Sequence, residues 1–227
     1  MKKALHNTLL FCCLLIINLV ISQQKNDSVI GSALLLFPEF TDGIVTFKDG
    51  SQYSAKFNYD TYSDQMQFLD KNNLKIAFAE PQKELMIEIT DRKFYYINKH
   101  FVELIYDDLV PLYVRVHQEV IGDKNVDFGY GSSGSRIQTV SSVYIRNGTA
   151  IRTSELDEDL LFLKTYFFYV TNKGKTRTVL NKKELLKCFS SKKGLILNQL
   201  EKQKTNFNSI ESVRKIIEWI NVNGIKD

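Results

Sequence analysis

The chain has 227 residues, of which 44% are hydrophobic, 25% charged and 12% aromatic, with only three prolines. That balance excludes a disordered or collagen-like chain, because it supplies enough apolar surface to offset the entropy of ordering. The formal net charge of +4 is unevenly spread: residues 172–227 carry 13 Lys/Arg and 5 Asp/Glu, whereas residues 1–171 carry 17 and 21. A basic tail on a mildly acidic body is a candidate for contact with an anionic surface, although lysines spread over short helices more often form a solvated face.

Lys2 and Lys3 precede the apolar run Thr8 to Ile21, and Ser22 follows it. This is the order of a secretory signal, and it predicts a signal peptide over residues 1–22 with cleavage after Ser22. The run falls short of the ~20 apolar residues that span a bilayer, and no second run of that length occurs later, so no transmembrane span is expected after cleavage. Phe11 in front of Cys12 argues against lipid attachment, which requires a small residue there. Cys12 and Cys13 leave with the signal and Cys188 stays alone, which excludes an intramolecular disulfide. Cys188 sits in the apolar stretch Leu185 to Phe189 and reads as a small buried hydrophobe. Export places the protein in the periplasm, at the outer membrane or outside the cell, and makes nucleic acid a poor partner.

From Ile44 onward the pattern is period-two alternation broken by turn residues. Strands are expected at Ile44–Lys48 and Gln52–Tyr59 around Asp49-Gly50, a pair suited to a type I′ hairpin. More follow at Gln65–Leu69, Leu74–Ala79, Leu85–Thr90, Phe94–Ile97, Phe101–Tyr106 and Leu112–Ile121. Residues 122–142 hold four glycines and five serines and read as a loop or linker. Strand character returns at Val143–Arg146, Tyr166–Thr171 and Thr176–Leu180, while Leu156–Lys164 fits either a short helix or a buried strand. The tail turns helical: Asn181 with Glu184 and Asn208 with Glu211 have N-cap spacing, and Ser191 marks a third start. In the last helix Ile210, Val213, Ile216, Ile217 and Ile220 form one stripe, with Gly224 placed to stop it. The fold class is therefore α+β: an antiparallel β-rich meander, small barrel or sandwich, followed by a C-terminal bundle of about three short helices. The expected organisation is a signal at 1–22, a β module at 23–121, the Gly/Ser-rich loop at 122–142, and a strand hairpin with a basic helical tail at 143–227.

The run Gly43 to Gly50, then Ala55-Lys56-Phe57-Asn58-Tyr59-Asp60 and Met66-Gln67-Phe68, resembles the opening of small exported proteins of Bacteroidota-type bacteria. The stretch Asn181 to Trp219, with Lys182 to Lys187 and Ile210-Glu211-Ser212-Val213, is similar to their tails. The resemblance implies a compartment and a general architecture. It implies no activity and no site residues, because its motifs are turn, core and cap positions.

Most familiar chemistries lack their residues. Gly129-Tyr130-Gly131-Ser132-Ser133-Gly134 matches a dinucleotide fingerprint by letter, but the β-branched and serine-rich run after it offers no helix for a pyrophosphate, and no cofactor is expected. His100 and His117 are not at metal-ligand spacing, and no G-x-S-x-G elbow occurs. Tyr113, Arg115, His117 and Glu119 alternate as the polar face of a strand. Glu155 to Asp159 reads as a solvated helix start, lacking the glycine and spacing of a calcium loop. Phe94-Tyr95-Tyr96 must divide between two sheet faces, which turns at least one ring from the core if one face is wet. Trp219 lies off the apolar stripe of its helix. The binding candidates are Tyr95, Tyr96, Tyr113, Arg115, His117 and Trp219, with no catalytic, cofactor or metal residue assigned.

The reading that results is an exported envelope protein that binds or scaffolds, leaning away from an enzyme, with an envelope protein or glycan as partner. The alternatives are a carboxylate-dependent hydrolase or lyase of envelope polysaccharide, and a binder of anionic lipid or lipopolysaccharide acting through the basic tail.

Overall fold

The computed structural model describes residues 33–123, 148–152, 160–189 and 191–225. The signal segment, the glycine-rich fingerprint, the strand expected at 143–146 and the acidic run 155–159 lie outside the described residues. Among the described residues eleven strands form one antiparallel sheet: β1 (Thr41–Phe47), β2 (Gln52–Asp60), β3 (Gln65–Leu69), β4 (Lys75–Ala77), β5 (Glu84–Ile89), β6 (Arg92–Ile97), β7 (His100–Tyr106), β8 (Leu112–Asp123), β9 (Gly148–Arg152), β10 (Leu160–Asn172) and β11 (Lys175–Val179). Three helices follow: α1 (Lys182–Lys187), α2 (Lys193–Gln203) and α3 (Ile210–Val222). The α+β, β-rich architecture is as the alternation and the tail predict, and the ambiguous run resolves as strand from Leu160 onward. β8 extends to Asp123, two residues past the expected boundary, because its edge is paired by β10 along that length.

The order across the sheet is β11-β10-β8-β7-β6-β5-β1-β2-β3-β4, with β9 also on β10. It consists of two meanders joined where β5 returns to pair with β1, and its end strands do not pair, so the barrel alternative does not hold. The half from β1 to β7 is nevertheless rolled: Phe78, just past the edge strand β4, lies 6.3 Å from Phe101 on β7. Register carries one row of side chains through eight strands, Val179, Phe168, Val114, Glu103, Phe94, Ile87, Val45 and Tyr53. In that row only Glu103 is charged. Two hydrophobic clusters sit on either side of it. One gathers Val45, Phe57, Tyr59, Met66, Ile87, Ile89, Phe94 and Phe101 inside the roll, with Phe37 from the preceding segment. The other gathers Leu112, Val114, Phe168, Val170 and Val179 under the helices.

Turn chemistry explains the local geometry. Asn98 and Lys99, and Lys173 and Gly174, have positive φ at both central positions, as two-residue I′ turns require. At the Asp49-Gly50 hairpin only Gly50 has positive φ, at 86°, so this turn is not type I′. Asp49 Oδ1 instead accepts from the Ser51 amide and hydroxyl, which holds a longer loop. Gly43 is required by a close approach: a Cβ there would come within 2.5 Å of Glu88 O and 2.9 Å of Phe57.

In the tail, Asn181 caps α1 by accepting from Glu184 N, as the spacing predicts. For α3 the cap is Ser209 rather than Asn208, whose own amide is already used in a turn to Asn206 Oδ1. For α2 the N-cap position is Lys192, one residue beyond Ser191. Val213, Ile216, Ile217 and Ile220 are fully buried against the sheet, each contributing about 2–3 kcal/mol. Gly224, at φ 59°, closes α3 with the paired Gly224 N to Asn221 O and Ile225 N to Ile220 O bonds of a Schellman motif. Cys188 is buried as expected, and burial pushes its thiol up to about 11. No helix among the described residues is long and apolar enough to cross a membrane.

Candidate functional site

The polar residues with chemical potential converge on the β2–β3 turn. Asp60 Oδ1 accepts from the amides of Tyr62 and Ser63, which tightens the turn and presents Asp64 in the left-handed region at φ 57°. Asp64 Oδ1 accepts from Tyr59 Oη at 2.9 Å, and Asp64 Oδ2 accepts from Arg115 Nη1. The same Nη1 lies 3.2 Å from His100 Nδ1. Since a guanidinium only donates, His100 Nδ1 is the acceptor and the ring proton sits on Nε2. His117 Nδ1 lies 2.9 Å from Thr61 O, and a carbonyl only accepts, so here Nδ1 carries the hydrogen. Its other nitrogen faces Glu119 Oε1 at 3.3 Å.

Arg115 is enclosed. Its side chain is 11% exposed, its Cζ lies 4.1 Å from the centroid of the Phe167 ring on β10, and its Nε is buried without a hydrogen-bond partner. Burial and the neighbouring Arg115 cation hold His100 below the ordinary imidazole value. Burial, then the Asp64 charge, push the Tyr59 phenol upward. Tyr169, 3% exposed, is raised chiefly by burial.

The polar face expected on β8 is present, and over part of its length it meets another segment of chain rather than water. β7 and β8 pair only through Glu103–Tyr106 and Leu112–Val114. Beyond Val114 the β2–β3 turn meets β8, with Gln118 N donating to Thr61 O at 3.1 Å. Arg115 and His117 are thus covered by chain from more than fifty positions away. Of the sequence candidates, the structure brings these two together. Tyr95 and Tyr113 sit elsewhere on the sheet, edge to face at 5.8 Å, with Tyr95 Oη 3.5 Å from Met86 Sδ. Tyr96 turns the other way, 5.1 Å from the Phe101 ring against the core of the roll. Trp219 is half-buried and packs on the cluster beneath the helices. Asp64 and Tyr59 complete the cluster and carry no motif of their own; the only signal for Asp64 is its place at the end of a polar turn.

A second feature is an open depression of about 470 Å³ over β1, β2 and β5, with Ile44 among its lining and Asp42, Ser54, Lys56, Glu88 and Thr90 around it. Its acids and lysine face solvent on a shallow surface. No group of three or more His, Cys, Asp or Glu among the described residues is placed to hold a metal ion.

A third feature is charge. Asn172 Nδ2 donates to Cys188 O at 2.9 Å, which sets the β10–β11 turn against the end of α1. Lys173, Lys175 and Arg177 in the β10–β11 turn and β11, and Lys187, Lys192 and Lys193 at the end of α1 and the start of α2, are all exposed. The nearest acid of α1, Glu184, is turned inward, its Oε2 accepting from Leu180 N at 2.6 Å.

Comparisons with protein-family models, curated proteins and solved structures each return no match.

Proposed function

We propose that this is a non-enzymatic exported protein of the cell envelope that works by binding, and that its contact is the cationic junction of the β10–β11 turn with α1 and α2. The reading is carried by six exposed cations on the segments that the Asn172–Cys188 bond ties together. Leu195, 54% exposed in the first turn of α2, adds an apolar side chain beside Lys192 and Lys193, the pairing that suits a lipid headgroup region. The non-enzymatic part is supported by the Asp64 cluster, whose carboxylate, phenol and guanidinium are spent on one another rather than aimed into a cavity. The exported location and the kinship with small Bacteroidota-type proteins belong to the same proposal and rest on the segments described above.

The test is sedimentation of the full chain with vesicles of phosphatidylcholine, with and without phosphatidylglycerol. Binding confined to the anionic vesicles and falling steeply with salt is expected. Lysines and arginines near such a surface contribute about 1 kcal/mol each, so reversing Lys173, Arg177 and Lys187 to Glu should weaken binding at least tenfold. Equal binding to neutral vesicles, or a flat salt response, would remove the proposal.

A further inference from the structure

The Asp64 cluster joins chain segments that share little else. β8 leaves β7 after Val114, and the β2–β3 turn lies along it through Gln118 N to Thr61 O, His117 Nδ1 to Thr61 O, and Arg115 to Asp64. Thr61 is fully buried in this seam and donates to Leu34 O from both its amide and its hydroxyl, so the turn carries the segment before β1 with it. His100 on β7 completes the ring by accepting from the same Arg115 nitrogen that holds Asp64.

We propose that this cluster is an acid-sensitive latch, in which protonation of His100 ends its acceptance from Arg115 and releases the β2–β3 turn from β8. A proton on Nδ1 would face the Arg115 guanidinium across 3.2 Å, replacing a hydrogen bond by a contact between two cations. The groups facing His100 are Arg115 and His117 on β8 and Asp64 in the turn, at 3.5 Å. Tyr59 on β2 meets it only through Asp64, and Tyr169 on β10 lies beyond Arg115. Asp64 is the single opposing charge; it favours a proton on His100, but it is shared with Arg115 and is outweighed by burial and the Arg115 cation. His117 is held differently: its Nδ1 carries the hydrogen that Thr61 O accepts in either protonation state, and its Nε2 faces the Glu119 carboxylate rather than a cation. His100 is therefore the acid-sensitive member. Its depressed titration agrees: the unfolded chain binds the proton first, so the stability it contributes is full above the ordinary histidine value and is lost as pH falls from there through the lower folded value.

The experiment is amide hydrogen exchange on the full chain, corrected for intrinsic rates, across a series from about pH 7.5 to about pH 4.5. Protection of the Gln118 amide, which donates across the seam to Thr61 O, should fall at least about tenfold in one step, at the midpoint of the His100 ring titration read by NMR, while Ile216 and Ile217 in α3 stay protected. His100→Gln keeps an acceptor for Arg115 without a titration and should abolish the step. Retained protection at Gln118, loss shared with α3, or a step that persists in His100→Gln would each overturn the latch. Should that variant not fold, a mismatch between the wild-type His100 titration and the loss at Gln118 would overturn it alone.

Discussion

Asn221 and Val110 exchange a reciprocal pair of hydrogen bonds across 111 residues of sequence, Val110 N donating to Asn221 Oδ1 at 2.8 Å and Asn221 Nδ2 donating back to Val110 O at 3.0 Å. One amide side chain thereby replaces a strand neighbour for the loop between β7 and β8 and ties it to α3. The roll uses the same device: Asn58, fully buried, accepts from Phe37 N at 3.0 Å and returns a bond to Phe37 O at 2.9 Å.

Replacing Asn221 by Ala should cost about 2–4 kcal/mol in urea unfolding, because it leaves the buried Val110 amide and carbonyl without partners and opens a small void. Asn221→Asp keeps the acceptor but loses the donor to Val110 O and to Ile217 O, and should destabilise as well. If either variant unfolds with the wild-type midpoint, the helical tail is docked by its apolar stripe alone.

Glu103 is the charged position in the eight-strand row, and it is met by Arg92 in a two-point contact, Nε to Oε1 at 2.7 Å and Nη2 to Oε2 at 2.6 Å. The guanidinium also covers the rings of Phe37 and Phe94, at 4.7 and 5.6 Å from their centroids. With side-chain exposures of 30% and 12%, the pair lies between the surface and buried limits. Arg92→Ala should therefore cost about 2–3 kcal/mol, combining lost packing with a stranded carboxylate. The double change Arg92→Met with Glu103→Leu should recover most of that in the same denaturant titration. A double variant as weak as the single would mean that the pair contributes net stability rather than merely neutralising a charge in the core.

The elements that local rules govern were legible from sequence. Alternation found β1 to β8, β11 and the second half of β10 but not β9, the Ile216–Ile220 stripe found the buried face of α3, and Gly224 marked its end. What local rules do not reach is which strands become neighbours. Nothing around Thr46 or Met86 indicates that β5 would return to β1, and nothing around Asp64 indicates that its turn would land on β8. The polar alternation of Tyr113, Arg115, His117 and Glu119 was visible, but whether such a face meets water or another segment is set by the roll of the sheet. His100 and His117 are 17 positions apart and meet only because Asp64 and Arg115 lie between them. Asn181 starts α1 where its spacing predicts, whereas the N-caps of α2 and α3 fall one residue past Ser191 and Asn208.

Glu84, at the start of β5, is 5% exposed, and its Oε2 is buried without a hydrogen-bond partner. Burial raises its titration above the ordinary glutamate value, with Lys48 and Lys83 offsetting only part of the effect. The folded chain therefore keeps this proton to a higher pH than the unfolded chain does. Between the two values the folded state binds more protons, so stability falls as pH rises through that window and stays lower above it. Glu84→Gln removes the titration, and the stability of the variant relative to wild type should be more favourable at about pH 7.5 than at about pH 4. Urea midpoints at the two pH values measure this directly. A difference that does not change with pH would mean that the carboxylate is solvated in the folded protein, and that the start of β5 opens to water around Lys48.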